Sequence, residues 1–307
     1  MPTMKPDYLK GCGLAFGAAM LWGVSGTAGQ FLFAHRGVNT EWLVAVRMLM
    51  AGVLMLAYVA LRTPRDLFTI WKNKTDALRM AVFGLFGMLA VQYTYFAAIN
   101  ASNAATATVI QYTGPVLIVG WFAFQKKRWP TSLELLCVAM AVAGTFFMVT
   151  HGSLNSLSIS PMALVWGLGS ALALAFYSIQ PLSLMSRYSP PIVIGWGMLI
   201  GGLALSVIHP PWVMAGTWDA PAIGAFAFVI VFGTLIPFYA YLTAVRIVGP
   251  ETSSLLACAE PLSSALLAMI WLGTRFGFYD WLGTALILIT VITLSLRKQE
   301  PVAVKIE

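Results

Sequence analysis

The stretch YAYLTAVRIVGPETSSLLACAEP (residues 239–261) can be laid on YTYFAAINASNAATATVIQYTGP (residues 93–115). At this offset of 146, Tyr239 meets Tyr93, Tyr241 meets Tyr95 and Pro261 meets Pro115. Further on, Asp280 meets Glu134 at the same offset. Nearer the start, at an offset of 150, Gly167 meets Gly17, Gln180 meets Gln30, and GMLIGGLA (197–204) meets RMLMAGVL (47–54). Each match alone is weak. A collinear series, with polar residues and prolines in register, marks an internal repeat.

Composition tells what is repeated. Of 307 residues, 59% are hydrophobic and 9% charged, whereas a soluble domain carries about 25% charged residues. Such a chain cannot cover its own surface in water. Apolar runs of about 20 residues, the length that crosses a bilayer core, are read at 9–33, 41–62, 77–98, 104–124, 132–150, 161–186, 189–208, 220–243, 250–272 and 279–296. The expected fold is an all-α polytopic membrane protein of ten transmembrane helices. Each half, residues 1–150 and 151–307, holds five spans. Five is odd, so the second half enters the membrane upside down. Inverted repeats of this kind mark transporters with a substrate site near the midplane between halves.

The net charge of +7 fits topology better than nucleic acid. With the N-terminus cytoplasmic, fifteen of the eighteen Lys and Arg residues lie inside, Arg36 and Arg275 lie outside, and Arg47 lies within a span. This is a positive-inside pattern. It places both termini of a multi-pass membrane protein in the cytoplasm. Cys12, Cys137 and Cys258 all fall in apolar segments, with no spacing for a disulfide framework. The first apolar stretch is too long for a cleaved signal and reads as an uncleaved helix. The small-xxx-small pairs Gly13/Gly17 and Gly197/Gly201 are expected to serve as close contacts within the bundle.

Glu260 stands ten residues into span nine, roughly 15 Å down, the middle of a core about 30 Å thick. A carboxylate there must face protein or a water-filled cavity. Pro261 cannot donate to the carbonyl of Ala257, and Pro115 likewise frees the carbonyl of Gln111. Each half thus carries a proline-weakened helix at mid-depth, Pro115 and Pro261 being its break points. Glu260 could carry a coupling proton, bind a substrate amine, or be a structural polar contact. Arg47, six residues into span two, could clamp a substrate carboxylate, or pair with Glu260 or backbone carbonyls as a lock. Trp22, Ser25, Gln92, Tyr93, Gln111, Tyr112 and Tyr239 complete the candidate substrate-binding set. Tyr95 and Tyr241 fit an interfacial aromatic belt.

No GxxxxGK[ST] loop or HExxH occurs, so no nucleotide, metal or other cofactor is expected. An enzyme would need a nucleophile–base pair, and no deep histidine serves Ser25. A facilitative pore of the same architecture is the nearer alternative, but no filter motif or charge ring appears. The oligomeric state is open, a monomer being compatible.

At LWGVSG (21–26), the arginine of VRMLMAG (46–52), NAATATVIQYTGP (103–115) and AEPLSSALLAMIWLG (259–273), the chain resembles the ten-helix EamA branch of the drug/metabolite transporter superfamily. The likeness runs from Leu9 to Arg297. It implies a bacterial inner-membrane permease for small organic metabolites, often amino acids or other zwitterions moving outward by alternating access. Trp22, Arg47, Pro115, Glu260 and Pro261 fall on its motif positions. The chain departs from the pattern at FQKKRW (124–129) and LGTRF (272–276), where an acidic residue is common.

Overall fold

Polar caps set where the helices begin. At the first turn of four helices, Asn39 accepts from the Trp42 amide, Asn73 from those of Thr75 and Asp76, Ser160 from that of Ala163, and Asp219 from that of Ala222. Each side chain satisfies amide donors that the first helical turn leaves unpaired. The resulting elements are α1 (Pro6–Arg36), α2 (Thr40–Arg62), α3 (Lys74–Ala101), α4 (Ala104–Gln111), α5 (Gly114–Gln125) and α6 (Ser132–Thr150). They are followed by α7 (Pro161–Ile179), α8 (Pro190–Ile208), α9 (Ala220–Val248) and α10 (Pro250–Leu256).

This computed structural model describes residues 6–102, 104–112, 114–125, 129–150, 160–257 and 259–263, with 267, 277–279, 281–283, 285, 286, 289 and 293. Most of span ten, the distal part of span nine and the basic residues Lys126–Arg128, Arg275, Arg297, Lys298 and Lys305 lie outside the described residues. Among the described residues every regular element is helical, and six helices are long and apolar enough to cross a membrane. The chain is an all-α integral membrane protein.

Glycine sets the closest helix approaches. α2 packs along α8, where a Cβ on Gly52 would sit 2.8 Å from the Leu199 amide nitrogen and 3.1 Å from the Gly195 carbonyl. Gly197 and Gly201 face α3, at Met88 and Phe83 and at the Gly84 carbonyl respectively. Those two are the bundle contacts expected of them. Gly13 and Gly17 are not, since a Cβ at either would meet nothing within 4 Å. The spacing alone could not say which helix faces were paired. Gly52→Val is therefore expected to lower stability by about 1–3 kcal/mol through overpacking against backbone. Gly17→Val should leave the melting temperature in detergent nearly unchanged, and equal melting shifts would refute this account of α2–α8 packing.

Two of the long helices widen into a π-helical stretch, α3 at Phe83–Leu89 and α9 at Val231–Leu235. Such bulges often mark functional sites. The helical run of the fourth span ends at Gln111 and resumes at Gly114, and that of the ninth ends at Leu256 and resumes at Ala259. These widened and interrupted segments surround one internal space.

Candidate functional site

That space is partly open and spans about 530 Å³ between the atoms, the solvent at its mouth included. One wall is aromatic. The ring of Trp22 lies 5.1 Å from both Phe238 and Tyr241, and Tyr177 lies 5.6 Å from Phe238. Val91, Phe96, Leu174, Gly233 and Ala257 complete the apolar lining. Gly233 sits in the π-stretch of α9 with no room for a Cβ, because the Ser25 side chain occupies that position. The bulge thus brings α9 against α1 at the depth of the cavity.

Arg47 enters from α2 and is 2% exposed. Its Nε donates to Gln92 Oε1 at 2.8 Å and its Nη2 donates to the same oxygen. The guanidinium carbon stands 4.3 Å over the Phe96 ring, a cation–π contact. Two N–H groups converging on one amide atom fix that atom as the oxygen of Gln92, and its nitrogen points elsewhere. Arg47 Nη1 and Gln92 Nε2 are buried without a hydrogen-bond partner, as are Trp22 Nε1, Ser25 Oγ and Tyr177 OH. All five belong to residues that line the cavity.

Glu260 is 5% exposed. Its Oε1 accepts from Tyr95 OH at 2.8 Å, and its Oε2 lies 3.3 Å from Tyr112 OH. Tyr95 also meets Thr108 Oγ1 at 2.9 Å, while Thr108 donates to the Ala104 carbonyl. Tyr112 donates to the carbonyl of Ala257, the group that Pro261 leaves without its helical donor. The Glu260 amide reaches the same carbonyl at 2.9 Å. The broken helix is therefore closed by a phenol from the other half of the chain.

Proton counting adds a constraint. Tyr112 has one hydroxyl proton, and a carbonyl can only accept. The hydroxyl of Tyr112 is shared between Ala257 O and Glu260 Oε2, and it reaches both as donor. A proton on the carboxyl would let Glu260 donate to the Tyr112 oxygen and free the Tyr112 hydrogen for the carbonyl alone.

Seven of the nine expected binding residues line this space: Trp22, Ser25, Arg47, Gln92, Gln111, Tyr112 and Glu260. Gln111 is tied by its amide nitrogen to Ser170 Oγ at 2.6 Å. Tyr93 and Tyr239 lie elsewhere. Tyr93 donates to Glu41 at 3.1 Å and packs edge-on against Trp166, while Tyr239 is 40% exposed. A helix turns about 200° over two residues, so the inward places go to Tyr95 and Tyr241, 8% and 0% exposed. These two are core residues and no interfacial belt. The Arg47–Glu260 pair is not formed, since Arg47 is held by Gln92 and Glu260 by the two tyrosines. Sequence reasoning missed Tyr177, whose only signal was a phenol in mid-span.

At opposite ends of the bundle, ion pairs join the two halves of the chain. Arg36, ending α1, meets Asp219 before α9 at 2.8 Å. Arg187 Nη1 lies 3.0 Å from both oxygens of the buried Asp76, which also accepts from Tyr188 at 2.9 Å. The hydrogen bond from Arg36, then that from the Ala222 amide, holds the Asp219 carboxyl below its ordinary value of 3.8. A depressed value means the pair contributes above 3.8 and is lost only as pH falls through the lower, folded-state value.

Comparison with known proteins places this architecture. A protein of known crystal structure superposes with a TM-score of 0.73 over 92% of this chain and 95% of its own, at 19% identity, which speaks to the fold. The uncharacterized inner membrane transporter YicL of Salmonella typhimurium is 42% identical over 91% of this chain and 93% of its own length. The uncharacterized transporter YwfM of Bacillus subtilis is 24% identical over 92% and 93%. The model of the EamA-like transporter family matches twice, at residues 9–150 and again at 161–296. With both halves matched and a relative at 42% identity along nearly its whole length, the chain belongs to the EamA-like transporter family.

Proposed function

We propose that this protein is a secondary transporter of small organic metabolites in the cytoplasmic membrane, working by alternating access, with the cavity as its substrate site and Glu260 as its coupling group. In this reading residues 1–150 and 151–307 are inverted five-helix repeats with both termini cytoplasmic. One observation carries it: a cavity walled by both halves, with an arginine and a glutamate buried at its edge beside interrupted helices. The repeat reading draws support from register. The π-stretches of α3 and α9 and the interruptions after Gln111 and Leu256 recur near the offset of 146 that aligns the sequence halves. Discontinuous helices at matched places in two halves are what such carriers use to hold substrate and coupling ion. The test is counterflow in proteoliposomes. A carrier preloaded with unlabelled substrate accumulates labelled substrate transiently and saturably, whereas linear, unsaturable equilibration would sink the reading in favour of a pore.

The two ion pairs are then gates on opposite faces, because α2 carries the chain from the Arg36 end to the Asp76 end. Asp76→Asn is expected to favour the state open on the Arg187 side, and Asp219→Asn the state open on the Asp219 side. The Asp76 shift should be the larger, as its carboxylate is buried and the other pair is solvated. A cysteine replacing Ser25, with the native cysteines removed, can be labelled by a maleimide from either side of vesicles. Labelling that both variants leave unchanged from both sides would remove the gate assignment.

A further inference from the structure

We infer that the substrate seated in this cavity is an organic monoanion with a flat apolar body, carried together with one proton. The inference rests on the transport reading above and adds the substrate's chemistry. The unpartnered valences of the lining decide it. Trp22 Nε1, Arg47 Nη1 and Gln92 Nε2 can only donate, and Arg47, Gln92, Ser25 and Tyr177 are each at least nine-tenths buried. A buried donor without an acceptor costs roughly 1–3 kcal/mol, so three donors around one space call for an acceptor-rich group such as a carboxylate. Planar Arg47, already anchored by Nε and Nη2, keeps its orientation while Nη1 is offered.

The acidic side of the cavity is occupied. Glu260 is engaged by Tyr95 and Tyr112, and a proton on its carboxyl would leave every one of these contacts satisfied. The Gln92 oxygen already accepts two guanidinium N–H groups. Among the described lining residues an ammonium would find three nitrogens that can only donate, and only the neutral hydroxyls of Ser25 and Tyr177 as unpartnered acceptors. With Glu260 neutral, Arg47 is the single formal charge among the described lining residues. The titratable groups facing Glu260 are the phenols Tyr95 and Tyr112, with Tyr177 and Arg47 elsewhere on the lining. A monoanion on Arg47 and a proton on Glu260 leave the loaded cavity with the charge of Arg47 and Glu260 ionised and empty. The anion and the proton thus cross together without net charge. The aromatic wall of Trp22, Phe238 and Tyr177 suits a flat hydrocarbon body.

The test uses the purified full-length protein and four probes of one shape: phenylacetate, phenylacetamide, phenethylammonium and phenylalanine. Calorimetry or thermal shift should show phenylacetate binding at least about tenfold more tightly than the amide or the amine, the ratio of one charge-assisted hydrogen bond. Phenylalanine should be weaker than phenylacetate. Arg47→Gln should erase the preference for phenylacetate over its amide, and Trp22→Phe should weaken phenylacetate severalfold. The wild-type series stands even if a variant fails to fold. Absent phenylacetate binding, equal affinity for acid and amide, or tighter binding of the amine or the amino acid overturns the inference. Proteoliposome flux separates it from the transport reading. An acid bound but never moved defeats transport and keeps the site, whereas an amine moved in its place defeats the site and keeps transport. Phenylacetate flux should not change when a potassium diffusion potential is imposed. A flux that follows the potential overturns the shared proton.

Discussion

Glu260→Gln is expected to keep the fold and downhill exchange while abolishing accumulation driven by a pH gradient. The amide reproduces the protonated carboxyl. Its oxygen can accept from Tyr95, and its NH₂ can donate to the Tyr112 oxygen while Tyr112 keeps the Ala257 carbonyl. The second amide hydrogen has no partner here, a cost of roughly 1–3 kcal/mol, so the melting temperature should fall modestly while the fold is kept. What the variant lacks is the ionised state. In the wild type, loss of the proton puts a charge on Oε2 that competes with Ala257 O for the one hydroxyl hydrogen of Tyr112. A charge-assisted hydrogen bond is roughly twice as strong as a neutral one, so Tyr112 turns to the carboxylate. The Ala257 carbonyl then keeps only the amide of Glu260, at a helix already broken by Pro261. Protonation is in this way linked to the shape of the segment that borders the cavity. The measurement is uptake against external pH in liposomes for both proteins. A shared pH profile with equal accumulation would leave Glu260 as a structural contact and remove the coupling mechanism.

The pairing of Glu260 with Pro261 was legible in the sequence because both facts are local. A carboxylate ten residues into an apolar run needs a partner, and a proline frees the carbonyl four residues earlier wherever the helix lies. The partners were not legible. Tyr112 and Tyr95 stand 148 and 165 residues away, and nothing in their own neighbourhoods distinguishes a phenol aimed at a carboxylate from one at a lipid headgroup. The same limit explains Arg47. Its depth was plain, but Gln92 and Phe96 reach it only because α2 and α3 pack side by side. Tyr93 and Tyr239 failed for a different reason. Their repeat-matched positions are real, yet a match says that two residues occupy equivalent places and leaves open whether the place faces inward. Helical phase puts Tyr95 and Tyr241 there. The glycines repeat the lesson, with Gly197 and Gly201 packed and Gly13 and Gly17 open.

Arg47→Lys is expected to cut transport at least about tenfold while lowering stability only modestly. The guanidinium has three tasks here that a single ammonium cannot share. Nε and Nη2 fix Gln92, the plane covers Phe96, and Nη1 remains without a partner. A lysine can still reach the Gln92 oxygen, so the charge stays partnered and the fold tolerates it. It cannot hold that oxygen, cover the ring and present an oriented donor at once. The lost contact to a charged ligand is worth roughly 1.5–3 kcal/mol, which is where the tenfold floor comes from. A role as an internal lock makes the opposite forecast. If Arg47 served mainly to hold α2 against α3, the Lys variant would melt early, and its transport per folded molecule would stay near that of the wild type. Melting temperature and initial transport rate on one preparation separate the two, and unchanged transport with lysine would remove the clamp.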